Sequence, residues 1–213
     1  MKQQSVKNTT LANTRSWPWY KAWSSTLFHP NIATGETLLS EGNVKFWQAI
    51  LWLVVSSIVS AIVMQLLIMV KEPNQFTWQS FFTMTGRNLI GSLIIPIGIL
   101  FFCTAIHLVA KLFRSKGTFQ NFFVVYAAFF APLWIPFFIT VNLGISVYKI
   151  QAFVWLFLIL WLYWLLVIYP VAIRAVYHFR WIGAFLIELS VIFAFSCSIL
   201  GLFAAYNRGM LGQ

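Results

Sequence analysis

Long apolar runs separated by short polar segments dominate the chain. Five of these runs reach the roughly 20 residues that an α-helix needs to cross about 30 Å of hydrocarbon. They occupy residues 46–70, 89–110, 121–143, 152–173 and 182–206. None of them shows the alternation of apolar and polar positions that is typical of a transmembrane β-strand. Because a helix satisfies its own backbone hydrogen bonds in lipid, the pattern predicts an all-α polytopic membrane protein with a five-transmembrane-helix bundle at 46–206.

The segments outside the runs predict less regular structure. Residues 1–16 are polar, and we expect a disordered tail there. Residues 17–45 carry clustered Trp, Tyr and Phe, which favour the headgroup level, and predict a cytoplasmic interfacial segment with a short helix near 33–40. Residues 74–86 predict a second interfacial segment on the outer side. Residues 207–213 predict a short external tail.

The basic residues are divided unequally between the two sides of this bundle. The N-terminal segment and the connections between helices 2 and 3 and between helices 4 and 5 carry ten of the 14 Lys and Arg residues, and the opposite side carries four. Cytoplasmic segments of membrane proteins are enriched in Lys and Arg. We therefore expect the N-terminus in the cytoplasm and the C-terminus outside.

Composition agrees with a membrane protein and excludes several kinds of chemistry. Only 8% of the residues are charged, whereas soluble domains average about 25%. The chain has no Asp, no catalytic or metal-binding motif and two cysteines, Cys103 and Cys197, which we interpret as buried small apolar residues. We therefore expect no enzyme activity, no cofactor and no metal. The net charge of +10 is scattered between apolar runs, which favours anionic lipid headgroups over nucleic acid as the partner.

Glu188 is the acidic residue within a predicted span, about 9 Å from the cytoplasmic end of helix 5. An ionisable group at membrane depth usually faces protein or water and has a partner. His107 and Arg174 lie at depths from which either could contact it. These three residues form a hypothetical proton-sensitive or ligand-binding site, and the alternative is a polar clamp that fixes helix packing. We favour the clamp.

Two further groups of residues bear on shape and on contacts at the cytoplasmic side. Pro96, Pro132, Pro136 and Pro170 lie inside predicted spans, where each removes a backbone donor and can kink its helix; we favour a role in shape over ion binding. Basic residues beside aromatic ones form a predicted cytoplasmic basic face. Its members are Lys111, Arg114, Lys116 and Arg180. Anionic-lipid contact is the simpler interpretation, and a docking surface for a cytosolic partner is the alternative.

Three stretches are similar to one known family. Residues 107–132 read HLVAKLFRSKGTFQNFFVVYAAFFAP, in which a helix ending in His and basic residues is followed by a tight turn with Gly and a helix with Tyr and Pro. This resembles the Yip domain family (Ypt-interacting proteins). WYKAWSSTLFHPNIATGETLLSEG resembles the segment before the first helix of prokaryotic members, and YPVAIRAVYHFRWIGAF resembles the helix 4–helix 5 junction. The resemblance covers roughly residues 17–205 and implies five membrane helices with a cytoplasmic N-terminus.

The resemblance implies a non-enzymatic protein that organises membrane or binds cytosolic or membrane proteins, in the manner of a trafficking scaffold. A small transporter or channel subunit that uses the site around Glu188 is the alternative. A homo-oligomer is compatible with both, because Ser56, Ser57 and Ser60 with Ala61 offer small side chains for close helix contact. The expected location is the plasma (inner) membrane in a prokaryote and early secretory membranes in a eukaryote.

Overall fold

A computed structural model describes residues 17–71, 77–140 and 151–211, and these residues are helical apart from short connections. The predicted disordered tail at 1–16 lies outside them. A π-helical turn at Trp164–Ile168 joins α6 to α7. The α-helices are α1 Trp19–Phe28, α2 Ile32–Ser40, α3 Phe46–Lys71, α4 Trp78–Leu112, α5 Phe119–Ile139, α6 Gln151–Tyr163, α7 Tyr169–Tyr177 and α8 Trp181–Leu211.

Within the described residues, four helical segments are long and apolar enough to cross a membrane. They are Phe46–Leu67, Phe119–Ile139, Gln151–Tyr177 and Trp181–Ser198. The region of the predicted second span contributes a shorter apolar helix, Pro96–Leu112. The all-α class and the membrane character therefore follow from the structure, while the count of five spans stays a prediction.

Two helices are longer than the predicted spans that they contain. The described part of the outer interfacial segment forms the first turns of α4, which begins at Trp78. Helix α8 continues beyond residue 206 as far as Leu211, within the segment predicted as an external tail. Hydropathy reports which residues tolerate lipid, and polar residues can extend a helix beyond that stretch.

Helix α5 is the centre of the bundle. Its residues Phe122–Ala131 are all buried, and it contacts α1, α3, α4 and α7. A helix that is apolar on every face is stable in a protein interior only when neighbours surround it. Helices α3 and α4 therefore pack against α5, while α8 packs on α4 and α7, and these long helices expose apolar side chains on their outer faces.

The segment before α3 is a helical hairpin packed on this bundle. Helix α1 lies against α5 and α2 lies against α7. The backbone N–H of Trp17 donates to the carbonyl of Gly42 at 2.7 Å, which closes the base of the hairpin. Helix α2 confirms the short helix expected near 33–40, with the side chain of Asn31 accepting from the N–H of Thr34. Helix α1 is an additional element.

A buried hydrogen bond joins the hairpin to α5. The hydroxyl of Thr26 donates to the carbonyl of Ala128 at 2.8 Å. In an uninterrupted α-helix that carbonyl would accept from the residue four positions later, but position 132 is a proline without an N–H. Helix α1 thus supplies the donor that α5 lacks, which is the type of compensation that prolines in membrane helices require.

Candidate functional site

A layer of polar side chains crosses the interior of the bundle near the end at which α3 begins. The hydroxyl of Tyr126 donates to that of Tyr169 at 2.8 Å, and the indole N–H of Trp164 donates to Tyr126 at 3.2 Å. Tyr126 and Glu188 each follow the start of their helices by seven residues, a depth of roughly 10 Å. The layer therefore lies at one level, and its aromatic hydroxyls are hydrogen-bonded to one another.

Glu188 is the exception in this layer. Its side chain has no exposed surface, and neither carboxyl oxygen has a hydrogen-bond partner among the described residues. Burying a carboxyl group without a hydrogen bond costs free energy, and the cost is much larger for the ionised group. Among the described side chains of the layer, Glu188 is therefore the one whose burial is least favourable.

The structure forms neither of the contacts predicted for Glu188. His107 Nδ1 lies 2.7 Å from the hydroxyl of Tyr177, the last residue of α7. Arg174 Nε donates to the carbonyl of Phe179 at 3.3 Å, and its guanidinium lies 5.3 Å from the centre of the Trp181 ring. Both residues bind other groups, so the predicted cluster of three is wrong as a contact network. Residues at similar depths along their helix axes can still point in different directions around those axes, and these three do not meet.

The four residues of the predicted basic face are all exposed at one end of the bundle. Lys111 Nζ donates to the carbonyl of Ser115 at 3.1 Å, whereas the side chains of Arg114 and Arg180 have no hydrogen bond or ion pair among the described residues. Arg114 has a φ of 57°, in the left-handed region that non-glycine residues seldom adopt. The face is completed by Lys116.

Close packing holds this basic face in place. A Cβ on Gly117 would lie 2.3 Å from Tyr177 Cδ1, so the turn after α4 rests directly on the end of α7. The rings of Phe113 and Phe179 meet edge to face with centroids 6.4 Å apart, which joins this turn to the α7–α8 connection. Glu36 of α2 lies 3.8 Å from His178 in the same connection. The surface is therefore organised before any partner binds.

Charge at this end of the bundle is mainly positive. Six exposed cations of the described residues face two exposed acids, Glu36 and Glu41. The hairpin and the start of α3 add two cations to the predicted face. The six are Lys21, Lys45, Lys111, Arg114, Lys116 and Arg180. Such a surface favours anionic partners.

The predicted kink positions all lie in helices, and one has an identified role. Pro96 lies inside α4 and Pro136 inside α5, while Pro170 occupies the first turn of α7. The carbonyl that Pro132 frees is occupied by Thr26, which leaves that carbonyl unavailable to an ion. Sequence reasoning missed Thr26, although a mid-helix proline signals that a donor is needed from elsewhere.

The two cysteines do not form a disulfide with each other. Cys103 is buried as predicted, whereas Cys197 is exposed on α8, and both are free thiols. Among the described residues, no group of three or more His, Cys, Asp or Glu is arranged to hold a metal ion.

Comparison with known proteins gives one match. The family model described as Yip1 domain matches residues 24–202, which is most of the chain. No curated protein and no solved structure matches it. The matched range includes α2 to α7, the second half of α1 and most of α8, and thus the central helix, the polar layer and the basic face. The resemblance found in the sequence is confirmed, and the chain is a multi-pass membrane protein that belongs to the Yip1 domain family.

Proposed function

We propose that this protein is a non-enzymatic membrane protein that organises the membrane or holds protein partners through its basic face. The observation that supports the proposal is the exposed set of cations on a surface held by Gly117 against Tyr177 and by the α1–α2 hairpin. The side chains of Arg114, Lys116 and Arg180 have no hydrogen bond or ion pair among the described residues. Because the backbone of this surface is held in place by packing, it loses little backbone entropy when an anionic partner binds.

The proposal includes a topology of five spans with the basic face in the cytosol. Helix α4 has 35 residues and a length of roughly 52 Å, which exceeds the hydrocarbon thickness of about 30 Å. With α4 as the second span, the N-terminus and the C-terminus lie on opposite sides. The excess of Lys and Arg around the basic face then assigns that face to the cytosol. We expect the plasma membrane as its location in a prokaryote and early secretory membranes in a eukaryote.

Partner capture from native membranes tests this function. The protein is purified in mild detergent, and bound proteins are identified and quantified for the unchanged chain and for a variant with Lys111, Arg114, Lys116 and Arg180 replaced by Gln. We expect a defined cytosolic or membrane protein to bind the unchanged chain and to be lost from the variant. The control is Glu188→Gln, which leaves the surface intact. Retention of all partners by the quadruple variant would contradict the proposal.

A small transporter or channel subunit is the second candidate, and the observation that favours it is the unpaired carboxyl of Glu188. Natural proteins keep such a costly group mainly where it has a use, and intramembrane acids commonly lie on proton or ion paths. Solute or proton flux into proteoliposomes tests this candidate. Flux that is abolished by Glu188→Gln, with the quadruple surface variant unaffected, would favour transport over the scaffold.

A further inference from the structure

An apolar groove of about 340 Å³ opens beside the basic face. It is lined by Phe113, Phe179, Gly183, Leu186, Ile187 and Ser190. The four residues of α8 are spaced so that they share one face of the helix, over a length of roughly 10 Å. The groove therefore runs from the α7–α8 connection into the segment Trp181–Ser198, which is apolar enough to cross a membrane.

The walls of the groove suit a hydrocarbon chain. Ser190 is its one polar side chain, and the hydroxyl of Ser190 already donates to the carbonyl of Ile187 at 2.8 Å. No uncommitted hydrogen-bonding group in the lining side chains would select a polar ligand. The volume of the groove lies in the range of about 300–1,000 Å³ that is typical of small-molecule sites.

The mouth of the groove, on the side of the basic face, has the opposite character. Phe113 and Phe179 line the groove and meet edge to face, and the next residue after each ring is an arginine. The side chains of Arg114 and Arg180 are exposed and have no hydrogen bond or ion pair among the described residues. A guanidinium group can donate two hydrogen bonds to one phosphate and is more weakly hydrated than an ammonium group, so arginines next to these rings favour a phosphate.

We infer that this groove binds an anionic phospholipid, with one acyl chain along α8 and the headgroup phosphate between Arg114 and Arg180. The cations lie at the helix ends and the apolar wall extends inward from them. The headgroup and the acyl chain of a lipid in a leaflet are arranged in the same order. This inference rests on the proposed function in assigning the face to the cytosol, and it makes the basic face a specific lipid site as well as a charged surface.

Lipid retention on the purified protein tests the inference. The chain is reconstituted in nanodiscs of phosphatidylcholine and phosphatidylglycerol with identical acyl chains, released into mild detergent, and its bound lipids are measured by native mass spectrometry. We expect phosphatidylglycerol to be enriched over phosphatidylcholine. Arg114→Gln with Arg180→Gln should reduce that enrichment by roughly tenfold or more, since it removes the two guanidinium groups that would hold the phosphate by charge-assisted hydrogen bonds.

The control pair is Lys111→Gln with Lys116→Gln, which removes the same charge from the same face but not from the mouth. Equal losses in both pairs would overturn the inference, because they would show diffuse attraction to the whole surface. Absence of enrichment in the unchanged chain would overturn it as well. Folding of each variant is checked by its circular dichroism and its elution as a single species.

A second variant tests the apolar wall. Gly183→Leu places a side chain in the groove, at a position where a Cβ would meet only Phe179 at 3.8 Å or more. We expect it to retain less of both lipids, whereas Gly86→Leu on α4, where a Cβ meets nothing within 4 Å, should retain both. Unchanged retention in Gly183→Leu would overturn the placement of the acyl chain.

The lipid assay contains no protein partner, so the two proposals can fail separately. If the unchanged chain shows no lipid selectivity but still captures its partner, the lipid site is contradicted and the scaffold function is not. A chain that keeps its lipid selectivity but captures no partner would instead contradict the scaffold function.

Discussion

The hydroxyl of Thr26 and the ring of Pro132 are two halves of one interaction, although 106 positions separate them in the sequence. The proline removes the N–H that Ala128 would otherwise bind, and the threonine replaces it from another helix. Thr26 Oγ1 also lies 2.9 Å from the carbonyl of Ala22 in its own helix. The contact to Ala128 is the one that joins the hairpin to the bundle.

Replacing Thr26 with Val should therefore destabilise the protein by about 1–3 kcal/mol, because it leaves a buried carbonyl without a donor. Thr26→Ser should be close to neutral by comparison, since it keeps the hydroxyl. Thermal unfolding in detergent measures both. In a Pro132→Ala background the alanine N–H can bind Ala128, so the cost of Thr26→Val should fall. An equal cost in both backgrounds would show that the hydroxyl does not replace the missing N–H.

A second prediction for a single residue concerns the stability of Glu188 variants. Glu188→Met keeps the approximate volume of the side chain and removes a buried, unpaired carboxyl, so it should raise the stability by about 1–3 kcal/mol. Glu41→Met is the matched control, because Glu41 is exposed at the end of α2 and its replacement should have little effect. A fall in the unfolding temperature of Glu188→Met would mean that the carboxyl has a stabilising partner in the folded protein.

At the scale of elements, the turn between α4 and α5 depends on the absence of a side chain. A Cβ at position 117 would meet Tyr177 Cδ1 at 2.3 Å and the backbone oxygen of Val176 at 2.7 Å. The turn and α7 must therefore separate if the position carries any side chain. Because the turn bears Arg114 and Lys116, this close approach also determines where part of the basic face lies.

Gly117→Ala should destabilise the protein by about 1–3 kcal/mol, the usual cost of overpacking a tight contact. Gly98→Ala in α4 is the control, because its Cβ meets nothing within 4 Å and alanine favours a helix over glycine. Unfolding temperatures in detergent distinguish the two variants. If Gly117→Ala were as stable as the unchanged chain, the turn would not rest on α7 as the structure has it.

The positions of the long helices could be predicted because length and hydropathy are properties of a continuous segment. The start of α4 at Trp78 could not, since its first turns contain polar residues such as Gln79 and Thr83 that form helix without favouring lipid. The π-helical turn before Pro170 has no clear pattern in the sequence either. It arises where the backbone adjusts its hydrogen bonds near a residue without an N–H.

The candidate site was predictable in its members and not in its contacts. A lone Glu in an apolar run was visible at once, and so was its depth. Depth along a helix axis does not determine the direction of a side chain around it. His107 therefore meets Tyr177, Arg174 meets Phe179, and Glu188 remains without either of them. Contacts of this kind depend on helix rotation, which packing around α5 sets.

The whole molecule is a bundle of Yip1 domain type with one differentiated end. That end has the hairpin, the hydrogen-bonded polar layer beneath it, the six exposed cations and the groove. In a cell, the proposed roles in lipid binding and partner binding both assume that this end faces the cytosol. The functional proposals therefore depend on the orientation of the bundle.

Cysteine accessibility in cells measures that orientation. Single cysteines replace Glu41, Lys116 or Gln213 in a chain whose Cys103 and Cys197 are alanine, and a membrane-impermeant maleimide is applied to intact cells or sealed spheroplasts before and after permeabilisation. The account predicts that positions 41 and 116 react only after permeabilisation, while position 213 reacts in the intact cell. Protection of position 213 together with position 41 would contradict the five-span topology, and reaction of position 116 in intact cells would contradict the cytosolic basic face.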